Sequence, residues 1–259
     1  MPRANRYFVP GYVWHITHRC HKQEFLLKFA KDRHRWRAWL FEARKRFGLC
    51  VLNYIITSNH IHLLVKDTGD NVIAKSMQLI AGCTAQEYNQ RKRRKGAYWE
   101  DRYHATAVET GEHLARCLVY IDLNMVRAGV VSHPSAWPHS GFNEIQQMPE
   151  RYRVIDVAEL SALFGIREIH SFMQSHHQWV EEALKSDSRP RQACWSDSIA
   201  VGSERFVEEI KERLGMKSRG RVVYQEQERH LLKELMAIYH TGLEKDLLRL
   251  ENTYYWDQI

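Results

Sequence analysis

Two imidazoles one residue apart, and a phenol and a carboxamide four residues apart, are the groups in this 259-residue chain best suited to chemistry. His60-Ile61-His62 opens an apolar run that reads as a strand. In a strand, residues i and i+2 share a face, so both imidazoles project together while Ile61, Leu63 and Val65 pack behind. Such a pair is a preformed bite for a divalent cation. The same spacing also suits two hydrogen-bonded or solvated sheet histidines. Tyr120 and Asn124 lie one helical turn apart, with Arg116 and Arg127 on the same flank and Leu114, Leu118, Ile121 and Met125 on the buried stripe. A phenol supplies an oxygen nucleophile, a carboxamide an oxygen ligand, and guanidiniums a bidentate phosphate grip, a set that suits a phosphodiester. An ordinary amphipathic helix with Tyr at its core edge fits the spacing as well. His15 and His18 are three apart on one strand, which argues against joint ligation. His176-His177 reads as surface, and Cys117 as a small buried hydrophobe.

The elements that must position these groups follow from periodicity and punctuation. Tyr12–His18, Leu49–Ile56, His60–Val65 and Ala105–Glu109 read as strands. A helix capped by Asp32 runs to Phe47 and closes at Gly48; a second is capped by Asn71 and runs into the basic block Arg91–Lys95; a third spans Gly111–Ala128 and ends at Gly129. The order β-α-β-β-α-β is that of a ferredoxin-like α+β sheet with one added helix, its helices on one face and the other face open. Pro134 and Trp137-Pro138 mark a boundary, giving domains 1–135 and 136–259. Beyond it the spacing is mainly helical, at Val157–Phe164, Phe172–Leu184, Phe206–Leu214 and Leu231–Leu250, with linkers at Ser186–Arg191 and Met216–Arg221. Asp156–Ile166, turning at Gly165, suggests a helix-turn-helix that could recognise DNA.

Charge divides along the same boundary. Residues 1–135 carry 22 Lys and Arg against 11 Asp and Glu, and residues 136–259 carry 16 against 20. A basic first half implies a polyanionic partner. Its affinity would come from Arg91, Lys92, Arg93, Arg94 and Lys95 with Arg33, Arg37, Arg44, Lys45 and Arg46 of the first helix, and Tyr98, Trp99 and Tyr103 could stack on unpaired bases. No apolar run reaches the roughly 18 residues of a membrane span, and no signal peptide opens the chain. Five scattered cysteines without a CxxC pair exclude a zinc ribbon or a disulfide framework and suit a reducing cytoplasm.

Tyr54-Ile55-Ile56-Thr57-Ser58-Asn59-His60-Ile61-His62-Leu63-Leu64-Val65, then Tyr98-Trp99-Glu100-Asp101-Arg102-Tyr103, then Tyr120-Ile121-Asp122-Leu123-Asn124-Met125-Val126-Arg127-Ala128-Gly129 resemble the single-tyrosine HUH transposases of the IS200-like superfamily, and within it the REP-associated tyrosine transposases. The resemblance covers roughly residues 1–142 and is thin beyond. It implies an enzyme that cleaves and rejoins single-stranded DNA at palindromic hairpins through a 5′-phosphotyrosine, working as a monomer or homodimer. His60, His62 and Asn124 would hold Mg²⁺ or Mn²⁺, Tyr120 would be the nucleophile, and Arg91–Lys95, Trp99, Arg102, Arg116 and Arg127 would contact DNA. Met125 departs from the proline usual in relatives, and His18-Arg19-Cys20-His21 from their first loop. Two other readings stay open. One is a non-catalytic hairpin-binding or regulatory protein with a vestigial site; the other is a metal-dependent hydrolase with a water nucleophile.

Overall fold

Among the described residues, seven strands form one sheet in the order β2-β3-β1-β4-β5-β7-β6. The structure, a computed structural model, describes residues 8–186, 192–226 and 228–234. The first four strands are β1 (Val13–Arg19), β2 (Cys50–Ile56), β3 (His60–Lys66) and β4 (His104–Val108). They pair antiparallel as the ferredoxin-like order requires: β1 lies between β3 and β4, and β2 closes the edge. Register fixes the faces. Thr17 stands opposite His62 and Arg19 opposite His60, so His15, Thr17 and Arg19 share the face of the two imidazoles, while Trp14, Ile16 and His18 point to the other.

That other face is covered by α1 (Ala30–Phe47) and α2 (Val72–Lys92). Trp36, Leu40 and Ala43 form the buried stripe of α1, and Gly48 ends it in the left-handed conformation at φ 71°. Neither expected cap operates. The α1 helix starts at Ala30, which leaves Asp32 inside the first turn, buried and paired with Arg91 of α2. Asn71 occupies the cap position of α2 at φ 58°, and its side chain makes no capping bond.

The imidazole face is not open, contrary to the sequence reading. Helix α3 (Glu112–Asp122) and its short continuation α4 (Asn124–Arg127) pack there, separated at Leu123 rather than forming one helix. At this break the Tyr120 carbonyl accepts from Arg127 Nη2 at 2.6 Å. Asn53 Nδ2 of β2 donates to Asp122 Oδ1 at 2.9 Å and anchors α3 to the sheet. The proposed boundary segment runs along the outer edge of β2. Gly141 N–H donates to the Tyr54 carbonyl at 2.7 Å, and the Trp137 indole donates to that of Ile56 at 3.1 Å.

Beyond this segment, α5 (Phe142–Gln146), α6 (Val157–Leu163), α7 (Ile169–Lys185), α8 (Cys194–Asp197) and α9 (Glu204–Leu214) give the expected helical content. Three strands were not expected. They are β5 (Ala200–Gly202), parallel to β4, and the hairpin β6 (Arg221–Glu226) with β7 (Arg229–Glu234). The helix read over Leu231–Leu250 is therefore a strand as far as Glu234, because Leu231 and Leu232 pair with Val201 and Ala200 and both become buried. Its remainder lies outside the described residues. Of Met216–Arg221, read as a linker, the first residues belong to the 3-10 turn Gly215–Ser218 and Arg221 opens β6; of Ser186–Arg191 only Ser186 is described. Glu109 fastens β5 by accepting from Ser203 N and Oγ at 2.5 and 2.8 Å, so the sheet continues across residue 135. No helix among the described residues is long and apolar enough to cross a membrane.

Candidate functional site

The Thr57-Ser58-Asn59 turn delivers His60 to the start of β3 and fixes its ring. His60 Nδ1 lies 3.0 Å from Thr57 Oγ1 and 2.7 Å from Asn59 Oδ1. His62 follows on the same face, its ring centroid 5.0 Å from that of His60 and nearly perpendicular to it. Tyr120, carried by α3, meets His62 edge-on at 5.7 Å. Asn124, one turn later, places Nδ2 3.0 Å from His62 Nε2. Sequence reasoning put these four groups on two faces, and the packing of α3 against β2 makes those faces meet.

Another imidazole completes the cluster, and sequence reasoning missed it. His15 is fully buried, stacks parallel to His62 at 5.0 Å, and sets its Nε2 2.9 Å from His62 Nδ1. Its own Nδ1 lies 2.9 Å from the carbonyl oxygen of Trp195 in α8. Comparison with His18 on its own strand hid this relation, because the partner of His15 lies diagonally across the ladder. Burial pushes His15 down to about 3, so it is a neutral imidazole. Arg19 is a second omission. It lies opposite His60 on the same face, half-exposed, where a cation can reach a phosphate held at that end of the sheet.

Arg127 lies over the Tyr120 ring with its guanidinium 4.1 Å from the ring centre, and Tyr120 is only 6% exposed. Burial lowers the Arg127 pKa, against the opposing pull of the Tyr120 side chain that it covers. Arg116 does not join this group: Glu112 and Glu228 both engage it. Trp99 is also committed elsewhere. It stacks on His18 at 4.0 Å on the helix-covered face and donates its indole N–H to the Ala81 carbonyl, so packing, not base stacking, occupies the ring. Tyr98 is buried against Tyr88. Arg33 and Arg37 are structural, the former holding the Leu27 and Lys28 carbonyls and the latter Tyr54 and Glu144. In the basic run, Arg91 pairs with Asp32 and Arg94 with Glu24, while Lys92, Arg93 and Lys95 are exposed. Arg102 is exposed just before β4, at the sheet end that carries Arg19 and His60.

His176 is not a surface residue. It is fully buried, with Nε2 2.8 Å from Asp122 Oδ2 and Nδ1 2.8 Å from Gln146 Nε2, whereas its neighbour His177 is exposed. The pair ties α7 to α3 two residues beyond Tyr120. Cys117 is buried as expected, which raises its thiol pKa.

For a metal ion, the donors at hand are two imidazoles and one carboxamide. No three His, Cys, Asp or Glu gather into a metal-holding group among the described residues. The trio still fits a catalytic cation: His62 Nε2 and the Asn124 carboxamide converge to 3.0 Å, and a half-turn of the amide presents Oδ1 in place of Nδ2. Three protein donors leave coordination positions for phosphate oxygens.

A family model, that of the IS200-like transposases, matches residues 9–124. Among solved structures, a REP-associated tyrosine transposase bound to a REP hairpin aligns over 60% of this chain and 94% of its own, at 18% identity and TM-score 0.48. A Deinococcus radiodurans protein assigned as a transposase aligns over 44% of this chain and 89% of its own, at 17% identity and TM-score 0.33. A comparison with curated proteins gives no match.

Proposed function

We propose that the chain, whose residues 9–124 match the family model of the IS200-like transposases, cleaves and rejoins single-stranded DNA at hairpin-associated sites, with Tyr120 as the nucleophile. The observation that carries this reading is the convergence of Tyr120 and Asn124 on His62, 5.7 Å between rings and 3.0 Å between polar atoms, from stretches about 60 residues apart. A Mg²⁺ or Mn²⁺ ion on His60, His62 and Asn124 would polarise the scissile phosphate and offset the charge that develops on it.

The remaining work belongs to the chain. Tyr120 Oη loses its proton to solvent and bonds to phosphorus as the bond to O3′ breaks; the leaving O3′ takes up a proton. The product is a 5′-phosphotyrosine and a free 3′-hydroxyl. One phosphoester replaces another, so reversal onto a new 3′ end needs no external energy source. Arg127 covers the phenol ring until a phosphate competes for the guanidinium. Arg19 and Arg102, with the exposed Lys92, Arg93 and Lys95, supply the electrostatic grip. All the chemical groups come from one chain, so the reaction as drawn does not need a second copy.

The test is a denaturing gel of protein, Mn²⁺ and a 3′-labelled hairpin oligonucleotide. A labelled covalent adduct is expected with the wild type and none with Tyr120→Phe. An absent wild-type adduct, or an unchanged one in the variant, overturns the proposal. Binding without an adduct favours a regulatory hairpin binder. Turnover that survives Tyr120→Phe favours a water nucleophile.

A further inference from the structure

Three hydrogen-bonding groups in series connect the segment after residue 192 to the candidate metal ligand. The Trp195 carbonyl, His15 and His62 are linked by two contacts of 2.9 Å each, and Asn124 stands at the far end. Trp195 and His15 are fully buried, and His62 is buried too. A carbonyl oxygen only accepts, so His15 Nδ1 must carry a proton and donate it. A neutral imidazole has one N–H, which leaves His15 Nε2 bare and accepting. The nitrogen facing it, His62 Nδ1, must therefore be the one protonated. Neutral His62 then has its lone pair on Nε2, aimed at Asn124.

We infer that His15, oriented by the Trp195 carbonyl, is a positioning residue that locks His62 in the Nδ1–H tautomer and so presents Nε2 as a ligand. The inference rests on the metal-site reading above and deepens it. Imidazole ligands of metals depend on such partners, because the hydrogen bond at one nitrogen sets which other nitrogen binds. The consequence is architectural. Trp195 lies 180 residues from His15 and well beyond the family match at 9–124, so the C-terminal segment supplies part of the active centre. Its place is secured independently: Thr106 Oγ1 donates to the Ser198 carbonyl at 2.6 Å, and β5 pairs with β4.

The test uses the full-length protein, ¹⁵N-labelled at histidine, without DNA. Long-range ¹H–¹⁵N spectra distinguish a protonated ring nitrogen from a bare one, and in metal-free wild type His62 is expected protonated at Nδ1 and bare at Nε2. His15→Phe keeps a flat ring but offers no acceptor. It should release His62 into a mixture containing the Nε2–H form and weaken Mn²⁺ binding, read by titration calorimetry, roughly 10–100-fold. His15→Gln, whose Oε1 can accept from His62 and whose Nε2 can donate to Trp195, should restore both. Protonation of His62 at Nε2 in the wild type overturns the inference, as does a His15→Phe protein whose tautomer and Mn²⁺ affinity are unchanged. Should His15→Phe fail to fold, the wild-type spectrum and His15→Gln still decide. A wild type that shows the Nδ1–H tautomer but binds no Mn²⁺ refutes the metal-site reading while leaving the relay intact.

Discussion

Replacing His176 by alanine should destabilise the protein far more than the same change at His177, one residue away. His176 is fully buried and meets Asp122 Oδ2 at 2.8 Å, while Asp122 Oδ1 takes its other bond from Asn53 at 2.9 Å. Gln146 Nε2 donates to the Met173 carbonyl at 3.1 Å and faces His176 Nδ1 at 2.8 Å, which orients the imidazole N–H toward Asp122. The alanine variant removes one member of this chain and leaves a buried carboxyl oxygen and a half-buried amide N–H without partners. Breaking a buried pair in this way costs roughly 3–5 kcal/mol. At about 2–4 °C per kcal/mol for a chain of this size, the melting temperature should fall by roughly 6–20 °C. Exposed His177→Ala should change stability by less than about 0.5 kcal/mol. Asp122→Asn should cost an amount of the same order as His176→Ala, because Asn53 and His176 both donate and a carboxamide can accept on one side only. Scanning calorimetry and urea titration of the three variants measure this. Equal melting temperatures for His176→Ala and His177→Ala would refute the reasoning and reduce the network to incidental contacts.

Other expectations follow from the same packing. Gly141→Ala should destabilise by roughly 1–3 kcal/mol, since a Cβ there would lie 2.2 Å from Asn53 Oδ1 and 2.5 Å from Ile155 Cδ1; Gly82→Ala, in open space within α2, should stabilise by about 0.5–1 kcal/mol, both read by urea unfolding. Burial holds His18 and His139 at about 4, with Arg33 the next cause for His139, so the unfolded chain takes up protons from about 6.5 downward that the folded chain refuses. Stability is then lost as pH falls from about 6.5 towards 4, by up to about 1.4 kcal/mol per pH unit for each histidine, and His139→Phe should flatten the acid limb of a melting-temperature profile. Neutralising Lys92, Arg93 and Lys95 together should lower the log–log salt slope of single-strand binding by about 2, measured by fluorescence anisotropy; an unchanged slope removes the run from the DNA path.

The sequence by itself determined what local period and punctuation encode. The alternation of strands and helices through residue 128 was readable, as was the shared face of His60 and His62 and the one-turn spacing of Tyr120 and Asn124. Those relations depend on one element at a time, with a period of two or 3.6 residues. The helix ends were less legible: Asp32 and Asn71 have the composition of caps, yet a partner on α2 took one and backbone geometry excluded the other. Leu231 and Leu232 read as helical until pairing with β5 made them strand.

Only the tertiary structure decided which groups meet. His15 reaches His62 through cross-strand register, and the Trp195 carbonyl reaches His15 from 180 residues away. His176 changed from a surface residue to the partner of Asp122 because α7 docks on α3. Arg116, Arg33 and Arg37 have the same side-chain chemistry as Arg19, and the carboxylates, carbonyls and phenol beside them occupy those three. A side chain's type fixes which bonds it can make. Which of them it does make depends on what burial places within about 3 Å of it, and that distance is set by parts of the chain remote in sequence.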